Sequence, residues 1–517
     1  MTIFSNDFFF IILCSIISFF LSNFVITKNT PIMKTTKLLI ISILSFSLSN
    51  IQIYAQENIS LKNDIFSGVN GQIYNPTHFL YNPNKWDTNL IGGDISFNNN
   101  YGYISQQSVL GALKNNPQGF SLKKNITGEN SDNIQDFYPP NNYFYYGNLD
   151  ILSPAVTIKF PIKNTIVSTG IFSRQRAISG EENINSNFYY HNFTSKGISN
   201  ITELHKVKTS FANWNEIGIN TAFVLKNTGE YQSYIGTNIK ILLGFDGGVI
   251  DSKNTIHINK LRDAINSINI ADITANYDID ASFATAYDFE NKKYSFKNQG
   301  QGLGLDLGFT YMKNRYHENS EREYLYDYKI DVSLLDFGKI NFNGEVHNFK
   351  GNPIFLPSYK PFGKNNSPSE FMQSMSQKVY GNLTQSLQNQ EFEIGLPTML
   401  NISFSKSTSD NTYLTGGISQ RVPIFKNSLK KANNIYINYG YYKDFIGLAT
   451  SFSLYNYKIP QFGGYIRIGG LYLGSDNLLP LIIKQRKLHS FDFYFGLKLF
   501  PFWNNDAKRR WKSKCCD

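Results

Sequence analysis

The chain has 517 residues and a formal charge of +10, with 17% charged and 15% aromatic residues. A disordered chain is poor in aromatics and strongly charged, and a soluble globular domain carries about 25% charged residues, so 42 Phe and 33 Tyr on this background fit neither. A barrel with lipid outside and a polar lumen inside accommodates both the low charge and the aromatic excess.

In chain order, the first feature is an apolar run at 8–26, preceded by Asp7 and no basic residue. A second run at 38–48 has the better leader: Met33, Lys34 and Lys37, a short apolar centre, then a small residue at Ala55. Those are the parts of a secretory signal peptide. The reading is that translation starts at Met33, that 33–55 is the signal, and that 1–32 is an upstream, non-native extension. The rival is a transmembrane hairpin made by both runs, with Met1 as the start. Cys14 lies in the discarded part, and Cys515 and Cys516 close the chain with no CxxC spacing to suggest metal or redox chemistry. Residues 56–87 precede the first strand and read as a periplasmic or plug segment.

Beyond residue 55 no stretch is apolar for 18 residues, and alternation with period two takes over. It marks 14 candidate strands: 88–98, 151–159, 165–174, 215–226, 230–243, 277–289, 302–311, 324–334, 390–405, 411–424, 434–444, 446–456, 462–473 and 489–500. In the last, Phe491, Phe493, Phe495, Leu497 and Leu499 oppose Ser490, Asp492, Tyr494, Gly496 and Lys498. In 302–311 the leucines at 303, 305 and 307 with Phe309 and Tyr311 oppose Gly302, Gly304, Asp306, Gly308 and Thr310. In 324–334, Tyr324, Tyr326, Tyr328, Ile330, Val332 and Leu334 share the apolar face. A tilted membrane strand needs about 9–11 residues, whereas strands of soluble sandwiches average about 5–6. Only closure satisfies every backbone hydrogen bond in lipid, so the expected fold is all-β, a transmembrane antiparallel barrel of about 14 strands over 88–500 with a short helical plug. The remaining 501–517 form a basic periplasmic tail.

Charges opposite an apolar face must meet a wet interior. That places Asp278, Asp280, Asp306, Asp327, Asp331, Lys329, Arg467, Asp492 and Lys498 in the lumen. The acids form a candidate patch for calcium or basic cargo, but calcium-loop spacing is absent and ordinary wetting of the lumen is the plainer reading. The glycines of GLGLDLG at 302–308 alternate within a strand rather than opening a helix, so they make room for a plug instead of binding a nucleotide. Seven scattered histidines share no ligand spacing, and no GxSxG elbow occurs, so no enzyme activity, cofactor or metal is assigned. The tail's Lys508, Arg509, Arg510, Lys512 and Lys514 read as a solvated terminus, or one meeting lipid headgroups, peptidoglycan or a partner, and no nucleic-acid role is assigned. Residues 110–148 and 177–210 read as long loops. Residues 257–268 read as an amphipathic helix, and 368–388 as a helix capped by Ser367 or Ser369 near Glu370.

The segment GVNGQIYNPTHFLYNPNKWDTNLIGG at 68–93, with Asn75–Pro76 and Asn82–Pro83, the strand GLGLDLGFTY and the ending GLKLFPFW together resemble an uncharacterised family of Bacteroidetes outer-membrane β-barrels. That family is distantly similar to the long-chain fatty-acid transporter barrels and to barrels associated with type IX secretion. The transporter likeness implies a plug and lateral passage of an apolar ligand. The secretion likeness implies a structural barrel that docks other machinery, and neither carries a catalytic residue to this chain. The expectation is a non-enzymatic outer-membrane barrel with a structural or secretion- and assembly-associated role, in contact with outer-membrane lipid and envelope proteins. The alternatives are a transporter of hydrophobic small molecules and a secreted, soluble β-rich binding protein.

Overall fold

The computed structural model describes residues 58–501, except 101, 116–134, 138–141, 164, 186–199, 205–207, 255, 263–268, 274–276, 316–325, 352–353 and 357–366. The leader with its alternative start, and the basic tail from 502 onward, lie outside the described residues.

Fourteen antiparallel strands close into a ring. They are β1 (Trp86–Asn99), β2 (Asn142–Leu152 continued by Ala155–Ile162), β3 (Thr165–Asn185), β4 (Lys208–Asn227) and β5 (Tyr231–Ser252). Next come β6 (Tyr277–Ala284 and Gly300–Asn314), β7 (Tyr326–Gly351), β8 (Leu387–Gly395 and Met399–Ser409) and β9 (Thr412–Arg421). The ring ends with β10 (Asn434–Tyr442), β11 (Ile446–Tyr455), β12 (Ile459–Ile468), β13 (Leu471–Ser475) and β14 (Ser490–Leu499). Each strand pairs with its neighbour, and β14 returns to β1 with Thr88 opposite Leu499 and Asn98 opposite Ser490. Closure leaves no edge in the bilayer except along β12 and β14 beyond the short β13.

Alternation explains the wall. On β14 the residues at 490, 492, 494, 496 and 498 are buried, while Leu497 and Leu499 are exposed. The same parity exposes Ile217 and Ile219, Ile239 and Ile241, Leu303 and Leu307, Ile435 and Ile437, and Phe452 around the ring. Leu303 is 68% and Ile239 58% exposed, values that only lipid makes tolerable for so many aliphatic side chains on one continuous belt. Along one edge of the belt, Tyr231, Tyr311, Tyr328 and Phe404 stand side by side on β5 to β8, with successive ring centroids 6.0, 6.5 and 6.2 Å apart. That is the aromatic girdle expected at a membrane interface. The belt makes the chain a membrane-embedded barrel rather than a soluble protein.

The two rims differ. At the near rim, which receives both ends of the barrel, every turn has two or three residues except 315–325. At the far rim, connections reach 42 residues between Asn99 and Asn142. Short turns mark the periplasmic side of such barrels, so the far rim faces outward. The wall is also uneven: β7 has 26 residues and β5 has 22, whereas β9, β12 and β14 have 10 each. At ~3.3 Å per residue the long strands stand well clear of the belt. Above the bilayer they carry the helix α3 (Pro368–Tyr380) and a four-stranded sheet from Asn200–Leu204, Ile256–Arg262, Asn269–Ile273 and Ile354–Leu356.

Several sequence expectations need correction. Residues 256–262 form a strand rather than the start of a helix, because they pair with two neighbours above the rim. The expected loop 110–148 contains a helix at Val109–Asn115 and the first half of β2, and the loop 177–210 loses its ends to β3 and β4. The segments 277–289 and 302–311 are two halves of one wall position, β6, parted by residues 285–299, while 462–473 folds back at 469–470 into two strands. The two errors cancel, so the count of 14 stands. Tyr326 points inward, because a bulge between Tyr326 and Tyr328 shifts the parity there. The helix expected at 368–388 is α3, Pro368–Tyr380, with Ser367 and Glu370 forming a reciprocal capping box. It packs against Tyr277, Ala281 and Phe349.

Candidate functional site: a lumen sealed at both ends

The N-terminal segment forms α1 (Ile59–Asn63), α2 (Val69–Gln72) and a short 3-10 turn at His78–Leu80, all inside the barrel. Elements this short are not stable alone, so the wall must hold them. Leu61, Ile65, Phe66, Leu80 and Tyr81 pack against a ring of wall tyrosines that includes Tyr326, Tyr413, Tyr442, Tyr465 and Tyr494. Small wall residues make room for the plug. A Cβ on Gly308 would lie 2.3 Å from Asn75 Oδ1 and 2.7 Å from Pro76 Cδ, so the Asn75–Pro76 bend uses the space this glycine leaves.

Charge pairs fasten plug to wall. Arg467 on β12 donates from Nε to Asp64 Oδ2 at 2.7 Å, where the Tyr465 hydroxyl also donates at 2.9 Å. Lys498 on β14 meets Asp87 at 2.8 Å and reaches the carbonyl of Phe66, while Val69 N–H donates to the other oxygen of Asp87 at 3.1 Å. Lys329 pairs with Asp331 two residues along β7 and donates to Tyr81 Oη at 3.1 Å. Asn75 donates to Asp331 at 3.2 Å. His78 is held between Ser67 Oγ, 2.7 Å from Nε2, and Tyr81 Oη, 2.8 Å from Nδ1. Burial, with Lys329 and Lys498 adding to it, pushes the imidazole well below its usual value, so it is neutral at pH 7.

Above the plug lies a second layer made of wall residues alone. Lys240 contacts Asp306 and Asp336 at 2.7 Å each. Arg176 grips Asp336 with both terminal nitrogens, at 2.8 and 2.9 Å, and also reaches Glu216 at 2.8 Å. Arg174 pairs with Asp150. Asp336 enters the lumen because β7 bulges there: its φ is +58°, and the register against β6 slips between Leu305 and Leu307. Each charge is buried, so each partner carries a large share of the desolvation penalty of the other.

The far mouth is shut by residues 422–433, which fold inward from β9 and cross to β3 and β4. Gly395 N–H donates to Asn427 O, Leu429 N–H to Gly395 O, and Ser210 Oγ to Ser428 O. Lys430 Nζ donates to Lys208 O at 3.0 Å, and Arg421 spans the mouth to Glu182 at 2.7 Å. Leu429 is buried with Trp214, Leu242, Ile340 and Phe342. Between lid and plug remains a cavity of about 30 Å³, touched by Lys62 and Tyr74 from below, Lys431 from above, and Asp94, Asp150 and Arg174 from the wall. That is room for one or two waters, not a substrate.

Among the sequence-assigned lumen residues, Asp306, Asp331, Lys329, Arg467 and Lys498 join these two layers, and Asp492 is buried on β14. Asp278 and Asp280 lie on the outer half of β6, held by Lys253 and Asn348 far from the plug. Asp327 falls in the bulge at the near rim and joins neither layer. Sequence reasoning missed Asp64, Asp87, Asp150, Arg174, Arg176, Glu216, Lys240 and Asp336. Arg174 and Arg176 carried a legible signal, two cations at the i, i+2 spacing of one strand face, and the plug carboxylate Asp64 carried none. Among the described residues no group of three His, Cys, Asp or Glu is placed to hold a metal ion.

Against this geometry, the model of a family of unknown function, DUF5723, matches residues 80–476. No curated protein matches. Among solved structures, the toluene transporter TodX of Pseudomonas putida aligns over 86% of this chain and 92% of its own at 8% identity and a TM-score of 0.29. A FadL homologue of Pseudomonas aeruginosa aligns over 87% and 98% at 8% identity and a TM-score of 0.26. The outer membrane protease OmpT of Escherichia coli aligns over 80% and 95% at 7% identity and a TM-score of 0.19.

Proposed function

The chain belongs to the DUF5723 family, and from that premise we propose that it is a non-enzymatic outer-membrane barrel kept shut, whose role is structural or tied to secretion and assembly. One observation carries this reading: among the described residues the lumen is crossed twice, by the plug below and by residues 422–433 above, with a cavity of about 30 Å³ between them. A diffusive pore has no use for buried ion pairs across its bore. The tall strands β3–β7, with α3 packed on them, instead offer a broad surface outside the bilayer for envelope partners. Planar-bilayer recording tests this. The intact protein is expected to show no stable conductance, and deletion of 58–84 to open one. A large steady conductance from the intact barrel defeats the reading.

A second reading, transport of a hydrophobic small molecule, is favoured by one feature of the wall. β13 has only five residues, and beyond it the gap between β12 and β14 is filled by the helix Leu478–Ile482 in place of strand hydrogen bonds. Leu479, Ile482 and Ile483 are exposed there, and Leu478 rests on Gly464. A disulfide tying residue 478 to 464 is expected to leave cell-associated uptake of an apolar fluorescent probe unchanged. If uptake stops and returns on reduction, the transporter reading replaces the structural one.

A further inference from the structure

We propose that the low side of the barrel carries, at its outward rim, a seat for a phosphate-bearing lipid of the outer leaflet. In this seat the helix Leu478–Ile482 meets the acyl chains, and Lys484 and Arg486 hold the headgroup. Beyond the end of β13 the wall between β12 and β14 is helix rather than strand. Leu478 rests on Gly464, which shares the outward parity of the exposed Phe462 and Ile466, so the helix lies on the lipid side of β12. Leu479, Ile482 and Ile483 are all exposed there, Ile482 at 62%. Three such aliphatic side chains in a row belong in hydrocarbon rather than in water.

Positive charge follows at once. Lys484 and Arg486 are exposed on the segment that leads from the helix into β14. The strand Gln485–Leu488 is fixed at the rim by pairing with Gly102–Gln107, and Lys458 is exposed at the same rim in the β11–β12 turn. Depth matches the membrane. β14 has 10 residues, about 33 Å at ~3.3 Å per residue, and a tilt of about 40° reduces that to ~25 Å, the height of the apolar band. Ser490 thus stands at the outer boundary of hydrocarbon, and 484–488 at headgroup level. From Ile446 to Ser490 the chain holds Lys458, Arg467, Lys484, Arg486 and Lys487 against a single acid, the buried Asp476. The tall side differs, since Lys208 there pairs with Asp251 and Lys253 with Asp278 and Asp280. Aliphatic surface below and cations above match an amphiphile with an anionic head, whereas a free anion would leave the helix bare. The guanidinium fork of Arg486 suits two phosphate oxygens, and Lys484 adds a point charge.

The test is native mass spectrometry of the purified barrel released from non-ionic detergent micelles, with diphosphoryl lipid A and with the same glycolipid dephosphorylated. The phosphorylated lipid is expected to bind about tenfold or more tighter. Combined Lys484→Ala and Arg486→Ala substitutions should remove that preference, with heat-modifiable gel mobility showing that the variant is folded. Ile482→Ser should weaken both lipids alike, and Lys226→Ala, exposed at the periplasmic rim, should change neither. Equal binding of the two lipids, which needs no variant to observe, overturns the seat. So does a folded double variant that keeps the preference, and so does displacement of the lipid by inorganic phosphate at the same concentration, which would mark a free-anion site. The seat faces away from the bore. A conducting barrel that keeps the preference therefore fails the closed-barrel reading alone, and a silent barrel without it fails the seat alone.

Discussion

At the scale of single residues, the plug depends on cations placed where the wall turns inward. Arg467 serves Asp64 with Nε and also donates to the carbonyls of Lys443 and Asp444 in the β10–β11 turn. Truncating it leaves Asp64 buried without its counter-charge, and loss of one partner of a buried pair costs about 3–5 kcal/mol. Arg467→Ala is therefore expected to lower the thermal midpoint of heat-modifiable gel mobility markedly, and an unchanged midpoint would show that the pair contributes nothing. That Arg467 and Lys498 point inward is legible from strand parity. That Arg467 reaches Asp64 on the plug, and that Lys498 meets Asp87 on the closing strand β1, is not, because some 400 residues of chain separate the partners.

The plug is the element with the least intrinsic stability and the most tertiary support. Its neutral His78 gives it a pH dependence whose sign can be worked out. In the undocked chain an imidazole titrates near 6.5, and in the docked plug it titrates lower, so the undocked state takes up the proton first. Docking is at full strength above about pH 6.5 and weakens as the pH falls through that value. Hydrogen exchange of 58–85 should therefore be better protected at pH 7.5 than at pH 5.5, and His78→Gln should flatten the difference. The plug was readable as a distinct segment from its Asn-Pro pairs and lack of alternation. α3 was readable too, since Ser367 and Glu370 bond each other's backbone across one turn. Residues 257–268 misled because their spacing suits a helix as well as a strand, and pairing above the rim decided for the strand.

For the whole molecule, the belt is the feature that fixes its place in lipid. Ile239 lies within it on β5, flanked by β4 and β6. A lysine at the depth of the bilayer centre costs about 2–4 kcal/mol on such a wall. Ile239→Lys is expected to lower folding stability by that order in urea titration from lipid vesicles, with a small effect in detergent micelles. Equal losses in both would mean that the belt does not face lipid. The uneven rims matter as well: the tall side rises on β3–β7, and the low side on β9–β14 contains a wall position completed by a helix.

By itself the sequence determined the inside and outside of most strands and the presence of a segment ahead of the first strand, because alternation and turn chemistry are local; its count of fourteen held because one strand read as two offset two strands read as one. Only the tertiary structure decided that β6 is made of two pieces parted by residues 285–299, that 422–433 turns into the mouth, and that Asp336 reaches the lumen through a bulge. Those outcomes depend on which surfaces meet across the bore, and the energy that selects them is shared between residues that no window of sequence holds together.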